Sequence, residues 1–143
     1  MTRSPSSPAA AEDSSSELGI DAQVRFLGRV AEEELPDWYR GADLFVLPTV
    51  AYEGFGMVTA EALSCGTPVL GTPVGATPEL LGPLGSRYLT SDATAASLAR
   101  SLEDLLPHLD DDARRSCADY AVKYDWRRVI ISWEAALGDA VNS

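Results

Sequence analysis

Two glutamates, Glu53 and Glu61, stand on either side of a short segment that contains two glycines, Gly54 and Gly56. Glycine lets the backbone come close to a bound group, and the first amides of a helix have no partner within that helix. If a helix begins after Gly56, the amides of residues 55–57 point outward and suit an anion such as a diphosphate. In the second turn, the Glu61 carboxylate could accept hydrogen bonds from both hydroxyls of a ribose. Glu53, at the entrance to the turn, could reach a sugar beyond the phosphates.

Taken singly, the same residues have simpler interpretations. A glutamate after a strand is commonly a solvated turn residue or a charge in the first turn of a helix. Gly54 and Gly56 would serve equally well in a tight turn that binds nothing. The elements around them must therefore decide whether they form a site.

From residue 24 onward, short apolar runs alternate with amphipathic segments, which is the pattern of a parallel sheet with covering helices. The runs and segments are Val24–Leu27, Glu32–Gly41, Leu44–Leu47, Met57–Cys65 and Val69–Leu70. Ligands of such sheets bind beyond the carboxyl ends of the strands, where the segment 48–75 begins. We therefore predict an α/β fold, a partial Rossmann-like parallel sheet with flanking helices.

Helix signals continue to the end of the chain. Gly66 is a C-terminal stop, and Thr77 with Pro78 forms a cap and first-turn pair. Apolar residues then recur at helical spacing in three stripes, which predict a helical C-terminal third, and we expect the last stripe to face the core. The stripes are Leu98, Leu102, Leu105 and Leu106; Ala113, Cys117, Tyr120, Ala121 and Tyr124; and Trp126, Val129, Ile130, Trp133 and Leu137.

Composition narrows the possible partners. The formal charge of −11 argues against a nucleic acid and against an anionic membrane surface. Cys65 and Cys117 lack the paired spacing of a zinc site or a disulfide framework, and no stretch approaches the roughly 18 apolar residues of a membrane span. We expect a cytoplasmic protein with no membrane insertion. Residues 1–17, rich in Ser, Pro, Ala and acidic residues, are expected to form a disordered tail before a domain spanning residues 18–143.

The segment EGFGMVTAEALSCGTPVLGTPVGATPELL, together with the upstream VRFLGRV and ELPDWYRGADLFVLP, resembles the retaining GT-B glycosyltransferases called glycosyl transferases group 1. The matched motif is Glu, seven residues, Glu, from Glu53 to Glu61. The combination is far more specific than any of its parts. The resemblance covers roughly residues 18–138 and corresponds to the C-terminal, donor nucleotide-sugar-binding domain in truncated form.

The resemblance implies roles for particular residues. Glu53 would lie beside the donor sugar as the catalytic residue, and Glu61 would hold the ribose. Backbone contacts to the donor would come from Gly54, Phe55, Gly56, Met57 and Val58. No metal and no cofactor are implied, because helix-end dipoles and basic side chains neutralise the leaving diphosphate. A UDP- or GDP-linked donor is favoured over an ADP-linked one.

Two parts of the family pattern are absent from this sequence: the arginine and lysine that clamp the diphosphate, and the acceptor-binding first domain. The expected function is thus the donor-binding portion of a retaining hexosyltransferase that needs a partner or a missing half, and the isolated chain is expected to be inactive. The alternative is a non-catalytic nucleotide-sugar-binding or protein-interaction module. A strand at Val24–Leu27 would be an exposed sheet edge, which favours self-association or a complementary polypeptide.

Overall fold

The computed structural model describes residues 8–51 and 54–141, and it divides into two compact units, Met1–Leu35 and Pro36–Ser143. Helix α1 spans Pro8–Glu17, where the sequence predicted a disordered tail. The backbone at its C-terminus shows why the helix ends there. Gly19 has a φ of +67°, the Gly19 amide donates to the Ser16 carbonyl at 3.1 Å, and the Ile20 amide donates to the Ser15 carbonyl at 3.0 Å. This pair of bonds is a glycine-dependent helix stop. A domain boundary between residues 17 and 18 stays a prediction.

The predicted strand at Val24–Leu27 does not form in the described part of the chain. Val24, Phe26 and Leu27 are partly exposed, so the apolar run is not a buried strand either. A strand is stable only when a neighbouring strand completes its hydrogen bonds, and no described segment pairs with these residues. The prediction of an exposed sheet edge at this position is therefore wrong.

The second unit contains the predicted parallel sheet. Strand β1 (Phe45–Leu47) pairs in parallel with β2 (Val69–Gly71), with Phe45 opposite Val69, and Gly71 forms a further parallel bridge to Leu89. The helices of this unit are α2 (Leu35–Gly41), α3 (Met57–Ser64), α4 (Thr77–Leu81), α5 (Ala95–Leu105), α6 (Asp111–Ala121) and α7 (Trp126–Val141). The first residue of α2, Leu35, is the last residue of the first unit. Four 3₁₀ turns lie at Gly82–Leu84, Ser86–Tyr88, Leu106–His108 and Val122–Tyr124. The predicted α/β class, with a partial parallel sheet and flanking helices, is confirmed.

Helix α3, which follows β1, ends where the sequence predicts. Gly66 has a φ of +76°, its amide donates to the Leu63 carbonyl at 2.9 Å, and the Thr67 amide donates to the Ala62 carbonyl at 3.0 Å. These two bonds satisfy carbonyls that the last turn would otherwise leave free, and the left-handed conformation favours glycine. The helix therefore turns the chain directly into β2.

Helix α4 forms as predicted, with Pro78 in its first turn, but Thr77 is not its cap. The cap position belongs to Ala76, and no side chain caps this end. Thr77 is the first helical residue because the carbonyl before it, of Ala76, accepts the first helical hydrogen bond, from the Leu80 amide at 3.1 Å. Its buried hydroxyl has no hydrogen-bond partner among the described residues.

The core of the second unit lies between the sheet and the helices that cover it. Helix α3 packs against β2 and α6, and α4 packs against β2. Leu63 from α3, Leu70 from β2 and Leu81 from α4 are completely buried. Burial of one such side chain stabilises the fold by about 1.5–3 kcal/mol. This packing fixes α3 against β2 and α6.

Helix α7 differs from the prediction. Its apolar stripe was expected to face the core, yet Trp126, Ile130, Trp133 and Leu137 are all exposed. Within the described residues, α7 contacts mainly the 3₁₀ turn Val122–Tyr124 that precedes it, so nothing covers this face. No helix in the part of the chain that the structure describes has the length and apolar character to cross a membrane.

Candidate functional site

The glycine-containing segment leads into α3 as the sequence predicted. Gly54, Phe55 and Gly56 precede the first helical residue, Met57. Glu53, the predicted catalytic residue, lies outside the described residues, so its role stays a prediction. The described part of the candidate site begins at Gly54.

Gly56 occupies the cap position of α3, where both the backbone conformation and the space beside it favour glycine. Its φ is +75° and its ψ is +50°, the left-handed region that L side chains rarely adopt. A Cβ at this position would also lie 3.2 Å from Cδ1 of Leu80. At Gly54, by contrast, no described atom lies within 4 Å of the position of a Cβ.

The first amides of α3 are available for a ligand. No side chain caps this end of the helix, and the amides of Met57 and Val58 donate no hydrogen bond to another described residue. The Thr59 amide is the first that is used, donating to the Gly56 carbonyl at 2.9 Å. Two outward amides at a helix N-terminus favour an anion, because the partial positive charge of the helix adds to their hydrogen bonds.

Glu61 lies one turn beyond Met57 on the same helix, and its carboxylate is held from a second element. The hydroxyl of Tyr39, on α2, donates to Oε2 of Glu61 at 3.3 Å. Burial, and then the negative charge of Glu61, raise the pKa of Tyr39 to about 12, so this hydroxyl keeps its proton at neutral pH. Sequence reasoning did not find Tyr39. A tyrosine within an amphipathic segment signals a need for a partner, but the partner lies 22 residues away.

Glu61 and Met57 line a cleft of about 570 Å³ between α3 and the end of α6 with the start of α7. Sequence reasoning missed its opposite wall. That wall includes Tyr124, Trp126 and Arg127, and Arg127 is the one cation among the lining residues. No spacing signal connects these positions to α3, because the cleft exists only after α6 has packed against α3.

Phe55 also reaches this wall through an aromatic contact. The rings of Phe55 and Tyr124 meet edge to face with centroids 5.8 Å apart, and Tyr124 meets Tyr120 at 5.9 Å. The Tyr120 hydroxyl donates to the Leu80 carbonyl at 2.7 Å, and Nζ of Lys123 lies 3.7 Å from the centroid of the Tyr120 ring. The segment before α3 is thus tied to the end of α6 by side chains far from it in sequence.

A larger cleft, about 820 Å³, lies elsewhere along α5 and the Ser86–Tyr88 turn. Its lining includes Arg87, Arg100 and His108 but none of the predicted site residues. The smaller cleft is the better candidate because it adjoins the free amides of α3 and contains Glu61. Among the described residues, no group of three His, Cys, Asp or Glu side chains is placed to hold a metal ion.

A sequence model of the family described as "Glycosyl transferases group 1" matches residues 6–124. Among curated relatives, the D-inositol 3-phosphate glycosyltransferase of Corynebacterium aurimucosum is 33% identical over 96% of this chain, which spans 33% of that protein. The protein of the same name from Mycolicibacterium smegmatis is 31% identical, over 88% of this chain and 29% of its own length. The chain therefore spans about a third of the length of the relatives that it matches.

Among solved structures, sucrose-phosphate synthase from Thermosynechococcus elongatus superposes with a TM-score of 0.80. The match covers 94% of this chain and 34% of that one, at 24% identity. At this level of identity the likeness concerns the fold alone. It agrees with the GT-B resemblance noted in the segment that surrounds Gly56.

Proposed function

Because the chain belongs to the glycosyl transferases group 1 family, we propose that it forms the donor-binding portion of a retaining glycosyltransferase that transfers a hexose from a nucleotide sugar. One observation carries the proposal: a helix begins at a left-handed glycine with free amides at its start and a carboxylate one turn later. This arrangement offers a site for an anion and, one helical turn later, a carboxylate that can accept hydrogen bonds from hydroxyls.

In this proposal the diphosphate lies against the segment Gly54–Gly56 and the amides of Met57 and Val58. The ribose hydroxyls donate to the carboxylate of Glu61. Glu53 is assigned to the sugar beyond the phosphates. No metal takes part, since the helix N-terminus and its amides supply the stabilisation of the leaving diphosphate. A UDP- or GDP-linked hexose is the proposed donor.

The acceptor site is assigned to a part of the enzyme outside these 143 residues. The chain spans about a third of the length of the relatives that it matches, and in this proposal the acceptor-binding wall of the reaction belongs to the rest of the enzyme. Loss of a single stabilising donor typically lowers a rate by about 100- to 1000-fold, and loss of the acceptor wall removes proximity as well. We therefore expect no turnover by the isolated chain, and activity only with a complementary glycosyltransferase polypeptide or the remaining part of the enzyme.

The proposal is tested by calorimetric titration of the chain with UDP, GDP, ADP and their common sugars, in parallel with Glu61→Ala. A hydrogen bond to a charged group contributes about 1.5–3 kcal/mol, so the variant should bind roughly 10- to 150-fold more weakly. The matched control is Glu103→Ala. Glu103 is an exposed glutamate on α5, away from the cleft, and its loss changes the net charge equally.

The control should bind as the unaltered chain does. Equal losses in Glu61→Ala and Glu103→Ala would mean that charge alone governs binding. Absence of binding by the unaltered chain to every nucleotide would overturn the proposal. It would leave the second candidate, a non-catalytic interaction module, which the exposed apolar face of α7 favours.

Activity is tested by mixing the chain with the missing two-thirds of a relative and following transfer from the donor that binds. An inositol 3-phosphate acceptor is the first to try, because it stands in the names of the relatives. Product with the anomeric configuration of the donor supports a retaining enzyme. Binding without transfer to any acceptor favours a nucleotide-sugar-binding module.

A further inference from the structure

We propose that Tyr39 is a positioning residue for Glu61: its hydroxyl holds one carboxylate oxygen, so that the other is presented to the ribose of the donor. This inference rests on the donor-binding function proposed above. It adds a residue from a different helix, α2, to a site that the motif confines to α3 and the segment before it.

The hydroxyl of Tyr39 is in contact with one oxygen of the Glu61 carboxylate. The Tyr39 hydroxyl lies 3.3 Å from Oε2 of Glu61. This is longer than the roughly 2.7–2.8 Å typical of a hydroxyl–oxygen bond, so the contact steers the carboxylate without locking it. Glu61 also lines the cleft beside Met57. The carboxylate thus has one oxygen facing Tyr39 while its side chain borders the space that a ligand would enter.

Tyr39 is itself held in place by contacts with other elements. The residue is only 7% exposed, and its ring meets the ring of Phe45 on β1 edge to face, with centroids 5.4 Å apart. Its carbonyl accepts a hydrogen bond from the hydroxyl of Thr67, at the start of the run into β2. A residue on β1 and a residue just before β2 therefore hold the tyrosine in place.

The hydrogen bond between Tyr39 and Glu61 has a fixed direction. With a pKa of about 12, Tyr39 remains protonated across the neutral range, so it donates and Glu61 accepts. A free glutamate side chain samples many rotamers, and fixing it costs entropy on binding. A carboxylate that is already oriented loses less of that freedom when the ribose arrives, which is the general benefit of preorganisation.

The test uses Tyr39→Phe, which keeps the ring and its contact with Phe45 but removes the hydroxyl. UDP and GDP should bind about three- to tenfold more weakly, the range expected for one net hydrogen bond. The corresponding 2′,3′-dideoxynucleoside diphosphates should bind equally to both proteins, because they lack the hydroxyls that the oriented carboxylate would accept. The matched control is Tyr88→Phe, a buried tyrosine away from the cleft, which should leave affinity unchanged.

Two results would overturn the inference. One is an unchanged affinity for UDP and GDP in Tyr39→Phe. The other is an equal loss for the ribose and dideoxy forms, which would place the effect outside the ribose contact. In a Glu61→Ala background the Tyr39→Phe change should have no further effect, and thermal unfolding verifies that both variants are folded.

Failure of the proposed function is recognised separately, because the unaltered chain would then bind none of the nucleotides. The positioning role is still measurable in the free protein through the three-bond couplings that report the χ1 angle of Glu61. They should indicate one dominant rotamer in the unaltered chain and averaged rotamers in Tyr39→Phe. Identical couplings in both proteins would refute positioning whether or not a nucleotide binds.

Discussion

Helices α3 and α7 are both rich in apolar residues, and they differ in what those residues contact. In α3, Ala62 and Leu63 are completely buried against β2 and α6. In α7, Trp126 and Trp133 are 68% and 66% exposed, although with Ile130 and Leu137 they recur at intervals of four, three and four residues. Such spacing is typical of a helix face that packs on a partner. A periodic pattern therefore identifies a face, but whether another segment covers it is a separate property.

The largest expected difference between the two helices is in stability. Leu63→Ala removes a fully buried side chain from α3 and should lower the free energy of unfolding by about 2–5 kcal/mol. Leu137→Ala, the same change on the exposed face of α7, should alter it by no more than about 0.5 kcal/mol. Urea unfolding monitored by circular dichroism gives both values. A large loss in Leu137→Ala would show that α7 is covered in solution and would remove the contrast.

The same comparison separates the features that could be predicted from the sequence from those that could not. The end of α3 at Gly66 and the left-handed turn before it follow from local signals, since glycine alone tolerates those backbone angles. The strand predicted at residues 24–27 and the buried face predicted for α7 are wrong because both depend on neighbours that the described chain does not supply.

The candidate site divides in the same way. Gly56 and Glu61 were predicted because the motif and the helix period place them on one element, and α3, which Gly56 caps, carries Glu61. Tyr39 and Tyr124 were missed because each contact joins residues that are distant in sequence and depends on how α2 and α6 pack. The role of Glu53 stays a prediction.

A smaller difference in stability should distinguish a closely packed glycine beside α4 from a glycine with open space around it. A Cβ on Gly71 would lie 2.5 Å from Cγ2 of Thr77 and 3.0 Å from Cδ1 of Leu81, so Gly71→Ala should destabilise the chain by about 1–3 kcal/mol. Gly82→Ala is the control. Gly82 has open space around a Cβ and a φ of −51°, so its replacement should be neutral or stabilising by up to about 1 kcal/mol. Thermal unfolding of both variants measures the difference, and equal midpoints would show that β2 and α4 are less tightly packed than described.

The smallest effect is a pH dependence of the free energy of unfolding, and it comes from a buried thiol on α6. Cys117, on α6, is fully buried, and this burial raises the pKa of its thiol to about 11, from an ordinary value near 9. The folded chain then keeps a proton that the unfolded chain loses between those pH values. By linkage, unfolding becomes easier as the pH rises through this window, by about 1 kcal/mol at pH 10 and less than half of that at pH 9, with almost no contribution below about pH 8.

Tyr39 also has a raised pKa and titrates in an overlapping range, so the contribution of Cys117 must be isolated by substitution. Cys117→Ala should cost some stability at every pH because it leaves a cavity, but its free energy of unfolding should fall less steeply above pH 9. Urea unfolding at pH 7, 9 and 10 measures the slopes. Parallel slopes in the two proteins would mean that the thiol titrates normally and that α6 does not shield it, and the buried side of the molecule would then resemble α7 more closely than the structure indicates.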